Sequence, residues 1–275
     1  MCNIKLLKEK SKLIRCETLK IHKLAVETRV ASSLSPVEIF VSLYYGNILH
    51  FNPKDPRDES RDRFIISKGH GSISMYPLLA DLGFFDQKEL ENVCQNGSFL
   101  GGIPDPIIPG YETVNGSLGH GLGVSCGIAV ALKAQKKEQN VVVITGDGEL
   151  NEGSNWEAIM FAPQHSLDNL TLIVDYNKVS MLDYSKNIIN LSSLNEKMNA
   201  FNWKVYEVQD GHDVEEVQSV LKDAITNREL QPKVVIVNTI KGKGVPFLET
   251  HSLSHILSVK PEDIDTLIEE IQNAN

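Results

Sequence analysis

Residues Val141 to Gly153 read VVVITGDGELNEG. A continuous β-branched run passes straight into Gly-Asp-Gly. An uninterrupted apolar run of this length suits a strand covered on both faces, as in a parallel sheet, rather than a half-solvated strand with alternating polarity. Asp147 then stands at the carboxyl end of that strand. In open parallel sheets ligands bind in the crevice outside those ends. Gly146 and Gly148 allow a tight turn and let a phosphate approach the backbone closely. Helical periodicity resumes at Ser154–Ala162, and a helix N-terminus favours anions.

Similar short apolar runs occur at Arg63–Ser67, Leu170–Tyr176, Lys204–Val208 and Val234–Ile240. Helical patterns fill the intervals at Leu6–Thr28, Pro36–Tyr45, Ser117–Ala134, Asp213–Asn227 and Pro261–Gln272. Ser35-Pro36 reads as an N-cap followed by proline at the first helical position. Strand–helix alternation predicts an α/β fold, a doubly wound, mostly parallel sheet with helices on both faces. A Gly- and Pro-rich loop spans about Asn96 to Gly116, and loops that long are commonly functional or mobile. No internal repeat or linker divides the chain, so residues 1–275 read as one domain.

The chain has 275 residues, 41% hydrophobic and 23% charged, with a net charge of −9. That acidity, with no dense basic stripe, argues against nucleic acid as a partner. No apolar run approaches the roughly 20 residues of a membrane span, and no signal-peptide pattern opens the chain. Cys2, Cys16, Cys94 and Cys126 are scattered, without CxxC, as expected for reduced thiols in a cytoplasmic protein.

The next expected strand ends in Asp175-Tyr176-Asn177, with Asn177 thirty residues beyond Asp147. If the two strands are neighbours, Asp147 and Asn177 share one rim. A carboxylate, an amide oxygen and a nearby backbone carbonyl make a hard oxygen set. Such a set suits Mg²⁺ (or Ca²⁺) held jointly with diphosphate oxygens. An isolated GDG reads more simply as a strand-end turn. GDG followed by a strand ending in Asn is far more specific.

GDGELNEGSNWEA beside LIVDYNKVSMLD resembles the thiamine diphosphate fingerprint of the transketolase family. DRFIISKGHGS, NGSLGHGLG and KGKGVPFLETHSLSH resemble further family segments in the family order, from about Leu6 to Lys260. The resemblance implies thiamine diphosphate as cofactor, with Asp147 and Asn177 as metal ligands through their side chains and Val179 through its carbonyl. It implies cofactor contacts from His70, Gly116, Ser117, Leu118, Gly146, Gly148, Glu149, Met181 and His255. His70 and His255, with Arg29 and His120, are the candidate catalytic residues. Glu152 and Glu157 match acids that the family places at the subunit interface. His165, His212 and His251 read as structural or surface residues.

Full-length transketolases are more than twice as long. The resemblance covers their diphosphate-binding domain alone. The pyrimidine-binding domain, which supplies the glutamate that activates the cofactor's aminopyrimidine, is expected on a separate C-terminal-type subunit in an α2β2 assembly. The implied activity is transfer of a two-carbon ketol unit between sugar phosphates or related small molecules, requiring that partner. Two positions depart from the family pattern: Arg29 and Ile103 stand where donor-site histidines are usual. A guanidinium binds carboxylate, sulfonate or phosphate bidentately, and Ile103 makes the pocket more apolar. Decarboxylative acyl transfer from a 2-oxo acid such as pyruvate is therefore an alternative. A non-catalytic regulatory paralogue is a second, disfavoured by the intact metal and histidine positions.

Overall fold

The structure is a computed structural model that describes residues 3–273; Cys2 lies outside the described residues. Five strands form its sheet: β1 (Arg63–Ile66), β2 (Val141–Gly146), β3 (Leu170–Tyr176), β4 (Lys204–Val208) and β5 (Lys233–Asn238). Their order is β1-β2-β3-β5-β4, and every pairing is parallel. The expected "mostly parallel" sheet is thus entirely parallel among the described residues. β5 ends at Asn238 rather than Ile240, because the chain leaves the sheet there.

The continuous apolar runs have a direct cause. Along β2, Val142 and Ile144 face a core shared with Phe40 and Val217, while Val141 and Val143 face another shared with Leu122 and Ile159. Both sets are fully buried. Successive side chains point to opposite faces of a strand, so a strand covered on both sides must be apolar at every position. β4 lies at the edge and is less buried.

On one face pack α1 (Ile4–Leu24), α3 (Val37–Tyr45) and α9 (Val214–Thr226); on the other pack α5 (Gly121–Ala134), α6 (Gly153–Gln164) and α8 (Leu194–Ala200). A third cluster joins α1 and the short α2 (Val30–Leu34) to α10 (Pro246–Glu249) and α11 (Pro261–Asn273). The remaining helices are α4 (Met75–Asp81) and α7 (Ser185–Ile188). The loop from about 96 to 116 has no helix or strand of its own. No described helix is long and apolar enough to cross a membrane.

Three boundaries differ from expectation for physical reasons. α1 stops at Leu24, and Thr28 turns back by donating its N–H to the Ala25 carbonyl. Ser35 does not cap α3: its backbone is helical and its hydroxyl donates to Asp175 at 2.6 Å. α5 begins at Gly121 rather than Ser117, because Gly116 and Gly119 have φ of +121° and +84°. That left-handed backbone is incompatible with a helix and natural only to glycine.

Candidate active site

Four neighbouring strands deliver their carboxyl ends to one rim. The register pairs Gly146 with Asp175, Asp175 with Val237 and Tyr176 with Asn238. The residues just beyond, Ser67–His70 after β1, Asp147–Glu149 after β2, Asn177–Met181 after β3 and Thr239–Lys241 after β5, therefore meet. A cavity there is lined by Lys68, His70, Leu118, Gly146, Asp147, Gly148, Glu149, Asn177, Val179, Met181, Lys241 and His255.

Asp147 is buried, and Ser185 Oγ donates to its carboxylate at 2.8 Å. Burial raises its pKa above the ordinary carboxylate range, with Ser185 opposing the shift. Asn177 Oδ1 accepts the Val179 N–H at 3.2 Å, and the Val179 carbonyl accepts from Lys241 Nζ at 2.9 Å. One carboxylate, one amide oxygen and one carbonyl thus lie on consecutive strand ends. This donor set fits a hard divalent cation that completes its shell with phosphate or water oxygens. Among the described residues no cluster of three or more His, Cys, Asp or Glu side chains could hold a metal by itself.

His70 and His255 face each other, with ring centroids 4.9 Å apart. Burial, reinforced by Lys68, drives the His70 pKa down to about 2. Burial and Lys241 drive that of His255 to about 3. Both rings are therefore neutral at neutral pH. Lys241 Nζ lies 3.1 Å from His255 Nδ1. With the ammonium as donor, Nδ1 is the acceptor and the His255 proton sits on Nε2. Lys241 is itself buried, which lowers its pKa to about 8.

A second layer fixes these groups. Asp175 is completely buried, and accepts from Lys68 Nζ, Thr239 Oγ1, Ser35 Oγ and Asn177 Nδ2. Burial alone would raise its pKa, but the Lys68 ammonium outweighs it and holds the carboxylate ionised. Glu149 is also buried; it accepts from Ser67 Oγ, from Gly119 N at 2.9 Å and from Gly146 N at 3.2 Å. Burial raises its pKa, and those donors oppose the rise. Its carboxylate thus ties three loops together at the edge of the cavity it helps to line.

The other sequence candidates separate clearly. Leu118 reaches the cavity, and Met181 lies at its rim, 54% exposed. Gly116 packs against Gly69 beneath Ile103, and Ser117 is solvent-exposed; neither lines the cavity. Arg29 and Ile103 are both exposed. The Arg29 guanidinium has no hydrogen-bond partner among the described residues, and its charge is felt at His255. Ile103 lies over Gly69 and Gly116 beside His70. His120 precedes α5 without capping it, in a separate apolar groove that also includes Glu157 and Phe161. Glu152 and Glu157 are exposed. On α5 the nearby Gly123 and Gly127 face open space.

Sequence reasoning missed Lys68, Asp175, Ser185 and Lys241. Nothing local in SKGHGS marks Lys68 as buried, since lysine is ordinarily exposed unless paired, and its partner Asp175 lies 107 residues away. Nothing local in KGKG distinguishes buried Lys241 from half-buried Lys243.

The comparisons with known proteins agree with this geometry. The chain is 40% identical over 243 residues to an apulose-4-phosphate transketolase subunit of Actinobacillus succinogenes, covering 88% of this chain and 87% of that one. It is 35% identical over 268 residues to a 6-deoxy-6-sulfo-D-fructose transketolase subunit of a Clostridium species, covering 97% and 96%. The solved transketolase of Campylobacter jejuni superposes with a TM-score of 0.88 at 29% identity, over 98% of this chain but 43% of that chain. The profile of the family described as transketolase, thiamine diphosphate binding domain, matches residues 12–272. By that match, and by its identity to proteins named as transketolase subunits over most of their length, the chain belongs to the transketolase family, in its thiamine diphosphate-binding domain.

Proposed function

We propose that this chain is the diphosphate-binding subunit of a two-component transketolase, a single domain that transfers a ketol unit between sugar phosphates or related compounds once joined to a partner. The observation that carries this is the convergence of four strand ends on one cavity, whose lining combines oxygen donors from Asp147, Asn177 and Val179 with two neutral imidazoles and the Lys241 ammonium. Asp147, Asn177 and the Val179 carbonyl would hold Mg²⁺ or Ca²⁺. The Gly148 amide, Lys241, His70 and His255 would bind and orient the diphosphate and the reacting end of the substrate. The cofactor, when bound, supplies the carbanion chemistry. This chain's neutral histidines can each donate or accept one proton at the donor's oxygens. Exposed Glu152 and Glu157, with the apolar groove beside α5, suit the surface that meets the partner and build an α2β2 assembly. The described cysteines form no disulfide, in keeping with a cytoplasmic setting.

Arg29 and Ile103 favour a second reading. An unpaired guanidinium beside His255 and an apolar side chain over Gly69 also suit the carboxylate and methyl group of a small 2-oxo acid. One experiment tests both. The purified chain, its candidate partner and the mixture are assayed with Mg²⁺ and thiamine diphosphate against ketose phosphates and against pyruvate. Turnover of a ketose phosphate by the mixture alone is expected. Full turnover by the isolated chain would overturn the two-component reading, and exclusive turnover of pyruvate would overturn ketol transfer. A mixture that gains no thermal stability from metal and cofactor would overturn the cofactor assignment.

A further inference from the structure

His212 has the sequence surroundings of a surface histidine, in the loop entering α9. Its side chain is instead enclosed, at 8% exposure, in a line of groups that ends behind the cavity. Arg15, from α1, donates to the Leu34 carbonyl at 2.8 Å, to the Lys243 carbonyl at 3.1 Å and to Glu38 Oε1. Glu38 Oε2 lies 3.0 Å from His212 Nδ1, and the Ile240 N–H donates to His212 Nε2 at 2.8 Å. A backbone N–H can only donate. Nε2 is therefore bare, Nδ1 carries the proton, and that proton is given to Glu38. Each group in the line has one role, and the tautomer is fixed from both ends.

What the line holds is the chain directly beyond β5. The Ile240 N–H has no other partner among the described residues. On one side, Thr239 Oγ1 is bound to Asp175; on the other, Gly242 N donates to the Ala31 carbonyl at 3.0 Å. Between them stands Lys241, whose ammonium reaches Val179 and His255 in the cavity. The loop bearing His212 is equally fixed. Gly211 N donates to the Asn238 carbonyl at 2.7 Å, and a Cβ at Gly211 would fall 2.7 Å from that oxygen. The ring is thus pressed onto the end of β5 at a set distance.

We propose that His212 is a positioning residue for Lys241. By accepting the Ile240 N–H it sets where the Lys241 ammonium meets Val179 and His255, and so tunes affinity for the diphosphate end of the cofactor. The inference rests on the cavity being the cofactor site. It assigns to a buried histidine outside the cavity a role in anion recognition, and it makes the Arg15–Glu38–His212 line more than a structural ion pair.

The test uses the chain assembled with its partner, with Mg²⁺ present, and reads dissociation constants for thiamine diphosphate and for inorganic pyrophosphate by calorimetry. A glutamine amide oxygen can reach the Ile240 N–H, whereas the shorter asparagine remains near Glu38. His212→Asn is expected to weaken both ligands roughly tenfold, and His212→Gln to stay within about threefold of wild type. Combined with Lys241→Met, His212→Asn is expected to cause no further loss, because the two act through one group. In the wild-type protein, the ¹⁵N signal of bare Nε2 is expected to move when pyrophosphate and Mg²⁺ are added, since coupling between sites is reciprocal. This last measurement needs no variant to fold. Equal weakening by Asn and Gln, a full His212→Asn effect in the Lys241→Met background, or an unmoved Nε2 signal would each overturn the inference. Wild-type protein that binds neither ligand would overturn the cofactor reading and this inference with it.

Discussion

Removing the partner of a fully buried carboxylate should be among the most damaging single changes available to this fold. Asp175 has no exposed side-chain surface, and Lys68 is 2% exposed. Lys68 Nζ also approaches the Ser32 carbonyl at 3.3 Å and Ser35 Oγ at 3.4 Å. In Lys68→Met the aliphatic stem is nearly preserved and the charge is lost. Asp175 then keeps only neutral donors from Ser35, Thr239 and Asn177. An uncompensated buried charge of this kind costs about 3–5 kcal/mol, a large share of the 5–15 kcal/mol that typically separates folded from unfolded protein. Asp175→Asn strands the ammonium instead and should cost a similar amount. The double variant removes both charges, so its cost should fall short of the sum by at least about 2 kcal/mol. Urea unfolding of the chain at pH 7.5, followed by circular dichroism and read at constant slope, measures all three. The losses should be unchanged in 0.5 M salt, because a buried pair is barely screened. A cost below about 1 kcal/mol for Lys68→Met, or strictly additive single effects, would refute the reasoning, since either would mean that the pair behaves as if solvated.

Two further outcomes follow from the same physics. Asp147→Asn should leave the metal-free chain equally stable or up to about 1 kcal/mol more stable, because burial penalises the charged carboxylate there; the same variant should lose the thermal stabilisation given by Mg²⁺ with thiamine diphosphate in the assembled enzyme, and differential scanning fluorimetry reads both, a large loss without ligand contradicting the argument. His22 is enclosed by Thr28 Oγ1 at 2.8 Å and Ser258 Oγ at 2.9 Å, and burial lowers its pKa to about 4. The unfolded chain therefore takes up the proton first on acidification: the contribution is whole above pH 6.5, falls as pH drops from 6.5 towards 4, and amounts to about 2 kcal/mol between pH 7 and 5. His22→Gln should flatten that part of the urea-stability profile, and a variant profile parallel to wild type would discard the assignment.

The parts of this protein that were legible in its sequence are those whose cause is local. A strand buried on both faces must be apolar throughout, so β2, β3 and β5 announce themselves. Asp147 and Asn177 are legible because each directly follows such a strand. The support beneath them is not, because its partners lie far apart in sequence: Lys68 and Asp175 are separated by 107 residues, and Ser35 and Asp175 by 140. No spacing rule reaches that far. Glu149 is legible in part: it stands in the cavity lining beside GDG, but the Ser67 hydroxyl and Gly119 amide that take up its carboxylate lie 82 and 30 residues away. α2 escaped notice because it is five residues long, barely more than one turn, and buried at every position, so it shows no helical period. Ser32 within it lies beside His255, and Ser35 directly after it donates to Asp175, partners that only the tertiary fold brings to them.

The acids around the cavity also bear on the proposal that a second chain completes the site. That proposal has the cofactor's aminopyrimidine met by a carboxyl group that is free to hydrogen-bond it. Among the described residues, each carboxylate at the cavity or directly beneath it is already committed. Asp147 accepts from Ser185 and is the carboxylate of the proposed cation site, Glu149 is held by Ser67 and the amides of Gly119 and Gly146, and Asp175 by Lys68 and three neutral donors. Redirecting Glu149 would leave two backbone N–H groups without their acceptor, and redirecting Asp175 would break a buried ion pair. Both costs exceed what one hydrogen bond to a ligand ordinarily returns. Glu152 and Glu157, the uncommitted acids nearby, are exposed on the side of the α5 groove and outside the cavity lining. In the proposed two-component reading the activating acid is supplied from outside this chain's cavity, and Met181 at the cavity, with its exposed neighbour Leu182, offers apolar surface for the partner that would bring it.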